Sequence, residues 1–358
     1  MNYIGIDISK QTFVAAFPTG NGYRMQEFEN TPRGVYKFIG QLPDEPTVVM
    51  EATGNYSFLL LYLLHNAGIA ASLVNPKQVK HFSRMMMSVT KTDTKDACLI
   101  AQYAEKMNPA PYKMPSDTIL VLKQKRTVIS QLKKQLNASR NLLASIKVLP
   151  YADKTCISSL NRTITFLDKQ IKSLEGELIK LAESEFDSLL KRLTSIKGVG
   201  ATLATALIIA TGGFSYFSNA KQLSRYVGIC PTICQSGKSV NIHGGINRNG
   251  DESLRSLLYL ASWTAIRYNS SCKQMYERMR ANGKPGKVAL VAVSNKLVRQ
   301  CFAVAKSNMS YVDGFVSTNP GGSNCLSSIQ SIFTEHLELS GSIFYLSEHV
   351  LPVPIYLP

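Results

Sequence analysis

The sequence lacks the segments that mark membrane and exported proteins. Its longest apolar stretches fall short of the roughly 20 residues that a helix needs to cross a bilayer. The chain begins directly with an apolar, strand-like run at residues 3–8 rather than with a leader peptide. We therefore expect a cytoplasmic protein without a membrane partner.

Cysteine is sparse and poorly placed for cross-linking or for zinc. The seven cysteines among 358 residues are scattered, and an odd number argues against a closed disulfide framework. Cys230 and Cys234 are close together, but no second Cys/His pair stands nearby at zinc-finger spacing, and His243 is isolated. Neither disulfides nor structural zinc are expected to hold the fold.

Basic residues are absent from the end of the chain. No lysine or arginine follows Lys306, although the whole chain has a formal net charge of +16. The only charged residues beyond it are four acids, so residues 1–306 carry a formal +20. This excess favours a polyanionic partner such as nucleic acid, without indicating a preferred sequence. For the nonbasic tail, 307–358, both disorder and a peripheral subunit contact remain open.

The first 110 residues alternate strand and helix signals. Strands are predicted at 3–8, 12–17, 22–28, 46–50 and 69–74, and helices at 32–41, at 55–67, from Pro76 and from Asp93 to Lys106. Three meandering strands followed by strand–helix units predict a mixed α/β sheet. Clustered prolines from Pro109 to Pro115 mark the end of this domain, 1–110.

Helical signals dominate the next part of the chain. Apolar residues recur at helical spacing from about 117 to 190 and predict a coiled-coil-like arm, 111–190. Basic residues including Lys133 and Lys134 decorate its first half. Two interpretations are open for these charges: a solvated coiled-coil face, or a surface that contacts nucleic acid.

The remaining predicted domain, 191–306, contains two segments of interest. Gly198 and Gly200 fit the tight turn of a helix-hairpin-helix, whose exposed backbone N–H groups can grip a phosphate. A plain connection between helices is the alternative. The segment 226–250 is predicted to be loop-like, and it supplies Lys238 and Arg248 as further predicted nucleic-acid contacts.

Four acidic residues stand in local settings that predict a metal site. Asp7 lies inside an apolar strand-like run, where a carboxylate without a partner is costly, and Glu51 ends a second such run. Asp93 and Asp96 are three residues apart, so at a helix start they share one face. Converging carboxylates repel one another unless cations neutralise them, and oxygen-rich clusters favour Mg²⁺ or Mn²⁺. A pair of such metals is suited to displacement at a phosphodiester.

Several motifs follow one another in an order that is specific together, although each is weak alone. They are Gly5-Ile6-Asp7-Ile8-Ser9-Lys10, Met50-Glu51-Ala52-Thr53-Gly54-Asn55-Tyr56, Asn75-Pro76-Lys77-Gln78-Val79, Lys91-Thr92-Asp93-Thr94-Lys95-Asp96-Ala97, Tyr226-Val227-Gly228-Ile229 and Gln235-Ser236-Gly237. With them the chain resembles the DEDD transposases of the bridge-RNA-guided insertion-sequence family, which includes the pilin-gene inverting recombinase. The resemblance runs from Tyr3 to about Lys306.

The resemblance implies an α/β, ribonuclease-H-like catalytic domain similar to Holliday-junction resolvases, a helical insertion and a mostly α-helical C-terminal transposase domain. The family's metal-binding acids fall on the four acids described above. Its nucleophilic serine falls on Ser236, with Ser239 as the nearby competitor. The implied partners are donor and target DNA, a guide (bridge) RNA, and further copies of the chain in a dimer or tetramer with a composite site.

Three other interpretations remain open from the sequence. A site-specific DNA invertase of the same family has the same motifs. A metal-dependent, junction-resolving nuclease uses the four acids with water as the nucleophile and needs no Ser236. A basic scaffold with a degenerate site is disfavoured, because all four acids are present.

Overall fold

A five-stranded mixed sheet forms the N-terminal part of the molecule. The structure is a computed structural model that describes residues 2–52, 54–87, 92–236, 240–246 and 250–314. The strands of the sheet are β1 (Asn2–Ile8), β2 (Thr12–Thr19), β3 (Gly22–Glu29), β4 (Pro46–Glu51) and β5 (Ala70–Val74). They lie in the order β3-β2-β1-β4-β5; β2 runs antiparallel to β1 and β3, whereas β4 and β5 run parallel to β1. The mixed α/β sheet predicted from the sequence is confirmed.

Helices cover both faces of this sheet. They are α1 (Pro32–Ile39), α2 (Tyr56–Asn66), α3 (Pro76–Met85) and α4 (Asp93–Met107). Ile4 and Ile6 of β1 are buried in a core that also contains residues of α1 and α2. Tyr3 is buried with residues of α3 and α4. Because successive side chains of a strand point to opposite faces, Gly5 and Asp7 share the α3–α4 face with Tyr3.

The rest of the described chain is mostly helical. Its elements are α5 (Asp117–Lys147), α6 (Lys154–Thr194), α7 (Ala201–Thr211), α8 (Ala220–Val227), β6 (Pro231–Ser236), β7 (Val240–Ile246), α9 (Glu252–Tyr268), α10 (Ser270–Ala281) and α11 (Gly286–Ser307). The long helices α5 and α6 pack along each other, with Leu136, Ile171 and Leu178 buried between them. The base of this pair shares one hydrophobic core with α7, α9 and α11. The predicted boundaries at 110, 190 and 306 stay predictions.

The segment 226–250 is not a loop as predicted. β6 and β7 form an antiparallel two-stranded sheet, in which Ser236 pairs with Val240. The Gly, Ser and Asn residues of the segment suggested irregular structure, but the segment also contains β-branched residues such as Thr232, Ile233 and Ile242, which favour strands. Ser236 therefore ends a strand.

One described helix, α11, is long and apolar enough to cross a membrane by length and composition alone. It exceeds the apolar stretches expected from the sequence. Its apolar residues, among them Leu290, Leu297 and Val298, are buried in the core shared with α6, α8 and α9. The core helix of a globular protein satisfies the same test, so the finding is weak evidence for a membrane span.

Candidate active site

Two carboxylates occupy neighbouring positions at the carboxyl ends of the parallel strands β1 and β4. The register pairs Ile6 with Met50, so that Asp7 and Glu51 are the next residues along the two strands. Ile6 and Met50 are both buried on the α1–α2 face of the sheet. Strand alternation therefore turns Asp7 and Glu51 towards the face that α3 and α4 cover. Both acids are half-buried.

The first turn of α4 supplies the other two acids. The hydroxyl of Thr92 caps this helix by accepting a hydrogen bond from the backbone N–H of Lys95 at 3.3 Å. Asp93 and Asp96 both lie in the first turn, three residues apart and thus on one side of the helix. The positive end of the helix dipole favours negative charge here.

Gly5 allows α4 to lie directly on β1. A Cβ atom at Gly5 would overlap the carbonyl oxygen of Ala97 and the backbone nitrogen of Ala101. Gly5 and Asp7 are on the same face of β1, and Ala97 follows Asp96 in α4. The close backbone contact therefore brings the first turn of α4 to Asp7. Sequence reasoning did not assign this role to Gly5, although a glycine inside a strand pattern often marks such a close approach.

The pKa of Asp7 is raised by the other acids, which shows that they lie close to it. Burial is the largest cause that raises the pKa of this carboxyl from its ordinary 3.8 to about 6. The next causes are the negative charges of the other three acids, Asp96, Asp93 and Glu51 in decreasing order. A hydrogen bond from the backbone of Ile8 lowers the pKa and opposes part of this effect. The other three predicted acids are thus all within electrostatic reach of Asp7.

The donor set suits a hard divalent cation. Within the described ranges, no group of three or more His, Cys, Asp or Glu side chains is arranged to hold a metal ion. The converging side chains nevertheless offer only carboxylate oxygens, which Mg²⁺ and Mn²⁺ prefer. The repulsion that raises the pKa of Asp7 is what a dication would relieve. The residues therefore fit such an ion chemically.

The predicted nucleophile lies on a different element. Ser236 is the last residue of β6, in the part of the chain that follows α8. Lys238, Ser239 and Arg248 lie outside the described residues, so the structure says nothing about these three predictions.

Most basic residues of α5 form ion pairs with acidic residues elsewhere in the chain. Lys133, a predicted nucleic-acid contact, forms an ion pair with Glu175 of α6 at 2.6 Å. Other cations of α5 also have acidic partners: Lys125 with Glu177, Arg126 with Asp251 and Arg140 with Asp168. Lys134 is exposed and has no ion-pair partner within the part of the chain that the structure describes. The coiled-coil interpretation therefore accounts for Lys133, and Lys134 remains available.

The two glycines between α6 and α7 differ in whether their surroundings leave space for a side chain. Gly198 has a φ of +105°, and a Cβ there would lie 2.8 Å from the Cβ of Ala265 in α9. Packing against α9 thus explains this glycine without a phosphate. Gly200 is the N-cap of α7, and its missing side chain faces open space. Of the two, Gly200 is the one whose surroundings leave room for a ligand.

The sheet order and its carboxylates define a ribonuclease-H-like class of enzyme. An antiparallel meander of three strands precedes the parallel strands β4 and β5, and the acids gather at the carboxyl ends of β1 and β4. Residues 4–149 match a family model described as transposase, of the DEDD type. Residues 190–277 match a model described as transposase of the IS116/IS110/IS902 family. The chain belongs to this transposase family.

Similar proteins extend over most of the chain. The pilin gene-inverting protein of Moraxella bovis is 30% identical, and the match covers 86% of this chain and 97% of that protein. A probable family 20 transposase of Pseudomonas aeruginosa is 22% identical over 88% of this chain and 99% of its own length. The structure of T. thermophilus RuvC in complex with a Holliday junction substrate is 15% identical, covers 31% of this chain and 99% of RuvC, and has a TM-score of 0.24. The sheet order, rather than this superposition, defines the fold.

Proposed function

We propose that the protein cleaves and exchanges DNA strands through an intermediate in which the DNA is linked to Ser236. The observation that carries this proposal is the convergence of Asp7, Glu51, Asp93 and Asp96 on one face of a ribonuclease-H-like sheet. A strongly basic chain with such a cluster is suited to phosphodiester chemistry on nucleic acid.

The four carboxylates would hold divalent metal, Mg²⁺ or Mn²⁺. When bound, such ions stabilise the attacking and leaving oxygens of a phosphoryl displacement. The carboxylates of this chain contribute charge and position. Asp7 is held half-buried on β1, and α4 presents two further acids from a capped first turn, so the cluster is organised before substrate arrives.

The covalent step conserves the phosphodiester bond. The hydroxyl oxygen of Ser236 attacks phosphorus, the Oγ–P bond forms and the bond from phosphorus to O3′ breaks. The serine proton passes to a carboxylate, and the departing O3′ takes up a proton. A free 3′-hydroxyl from another strand can then reverse the step and reseal the backbone, so that no nucleotide cofactor is needed.

The outcome of strand exchange is proposed from the relatives. Moraxella bovis has a pilin gene-inverting protein that matches this chain over 97% of its own length, and other relatives are transposases. We propose transposition as the main activity and DNA inversion as the alternative. A guide RNA, and a composite site between subunits of a dimer or tetramer, are proposed from the family resemblance.

The nucleophile is tested by trapping the adduct. Wild-type protein is given a substrate nicked beside the scissile phosphate, so that resealing is prevented, and the digested adduct is mapped by mass spectrometry. We expect the DNA on residue 236, and Ser236→Ala should bind DNA without making strand breaks. An adduct on Ser239 would correct the residue and keep the mechanism. Normal cleavage by both Ser236→Ala and Ser239→Ala would establish water as the nucleophile and favour the junction-resolving nuclease.

A further inference from the structure

Helix α3 carries basic side chains at regular spacing. Lys77, Lys80, His81 and Arg84 stand at positions i, i+3, i+4 and i+7, which places them on one side of the helix. All four are exposed, and the helix with its flanking residues, 75–87, contains no Asp or Glu. These four residues are termed the α3 stripe.

Packing on the opposite side fixes the direction of the α3 stripe. Val79 and Phe82 are buried in the core that α3 shares with α4. The ring of Phe82 contacts the ring of Tyr103 edge to face, with centroids 5.5 Å apart. Because α3 is anchored by these side chains, it presents the basic residues to solvent in a constant orientation.

The α3 stripe begins next to the carboxylate cluster. Val74, the last residue of β5, pairs with Glu51 in the parallel register. The backbone N–H of Ala52 also donates a hydrogen bond to the carbonyl of Val74 at 3.0 Å. Lys77 follows Val74 by three residues, and the side chain of Asn75 caps the helix by accepting from the N–H of Lys77 at 2.9 Å. Helix α3 thus starts at the sheet edge where Glu51 lies, on the face that the acids share.

Among the described residues, the lysines and the arginine of α3 have no acidic partner. In the described part of the chain, no hydrogen bond or ion pair engages the side chain of Lys77, Lys80 or Arg84. The cations of α5, in contrast, mostly have acidic partners on neighbouring helices. Unpaired charges of one sign along a rigid helix favour a polyanion, and their spacing lets them contact successive phosphates.

We propose that the α3 stripe binds the phosphate backbone of the DNA strand that enters the carboxylate site. The inference rests on the proposed function for the identity of that substrate. Contacts to phosphates position a strand without reading its sequence. The stripe would therefore hold the backbone beside the acids, whatever the sequence of the DNA.

The test compares two variants of the full-length protein with equal loss of charge. The stripe variant carries Lys77→Gln, Lys80→Gln and Arg84→Gln. The control variant removes three cations that are paired with acids, through Arg140→Gln, Lys191→Gln and Lys273→Gln. Dissociation constants for a DNA duplex and for a structured RNA probe are measured in EDTA at several salt concentrations. Thermal unfolding verifies that both variants are folded.

If the stripe makes three phosphate contacts, a fourfold rise in salt should weaken wild-type binding about 40-fold more than binding by the stripe variant, since each contact releases about 0.9 counterions. The control variant should follow the wild type within about threefold. A stripe variant that behaves like the control would overturn the proposal. An effect confined to a structured RNA probe would also overturn it, because the DNA strand would not be the ligand.

The binding measurements need neither a divalent metal ion nor strand cleavage. Binding and its salt dependence therefore test the α3 stripe even if no adduct forms on Ser236. Conversely, an adduct on Ser236 with an inert stripe would keep the proposed function and remove only this inference.

Discussion

Replacing Asp7 by asparagine is expected to stabilise the protein at neutral pH when divalent cations are absent. Asparagine has nearly the same shape but carries no charge. It therefore removes both the burial of a carboxylate and its repulsion by three neighbouring acids, the causes that raise the pKa of Asp7 to about 6.

The sign and size of the effect follow from the pKa. The Asp7 carboxyl binds its proton more tightly in the folded protein, at about 6, than in the unfolded chain, at 3.8. Protonation thus favours folding; this contribution is present below pH 3.8 and is lost as the pH rises through about 6. The difference corresponds to about 3 kcal/mol. Because the side chain is partly exposed to solvent and its charge is therefore screened, we expect about 1–2 kcal/mol for Asp7→Asn at pH 8.

The assay is equilibrium unfolding in EDTA between pH 4.5 and pH 8, with hydrogen exchange of β1 and α4 to localise the change. The advantage of Asp7→Asn should grow between pH 4.5 and about 6 and then level off. Asp44→Asn, at an exposed position of the same domain, is the control and should show little change. Added Mg²⁺ should stabilise the wild type and reduce the gap, by up to about 2.7 kcal/mol at a hundredfold excess over its dissociation constant. Equal stability of wild type and Asp7→Asn at pH 8 in EDTA would refute the convergence of the acids.

Three further predictions concern Gly5, Lys134 of α5 and the turn between α6 and α7. Gly5→Ala should destabilise the protein by about 1–3 kcal/mol and reduce strand cleavage, because a Cβ overlaps the backbone of α4. Unfolding and cleavage assays measure the two effects, and no change in stability would show that α4 does not lie on β1. Lys134→Glu should lower the slope of DNA affinity against salt concentration by about 1 if this exposed cation touches a phosphate, whereas Lys133→Glu, at a paired position, should have a smaller effect. Equal slopes for the two variants would argue against contact at Lys134. In an unfolding assay, Gly198→Ala should destabilise the protein by about 1–3 kcal/mol because Gly198 has a positive φ and contacts α9, whereas Gly200→Ala should cost at most about 1 kcal/mol. A larger loss for Gly200→Ala would show that the α6–α7 turn is built differently.

Local patterns were sufficient to predict the sheet and the acids. Asp7 and Glu51 stand in apolar runs whose period and length indicate strands, and the spacing of Asp93 and Asp96 fits a helix start. The parallel pairing of β1 with β4, which brings Asp7 beside Glu51, was not predicted and is seen only in the structure. Chemistry that depends on neighbours along one strand or one helical turn is therefore visible in the sequence.

Contacts between distant segments could not be predicted in the same way. The partner of Lys133 is Glu175, and only the packing of α5 on α6 shows that the two charges meet. The β6 and β7 strands were not predicted because the segment is rich in glycine and polar residues as well as in β-branched ones. The spacing of the α3 stripe can be read directly from the sequence. That no described acid pairs with Lys77, Lys80 or Arg84 depends on what packs around the helix.

Not every cation in the formal net charge is available to attract DNA, because some cations are paired with acids and others are not. Several cations within the formal +20 of residues 1–306 neutralise acids of the arm and of the C-terminal helices, as Arg126 does with Asp251 at 3.0 Å. Such pairs orient helices and contribute little attraction for DNA at a distance. Free cations beside the carboxylates act differently, because they offset the repulsion between a phosphate backbone and an acidic site. If the four acids are the cleavage site, as proposed, the cations of α3 add to the positive charge of the bound metal on the face of the sheet that DNA approaches.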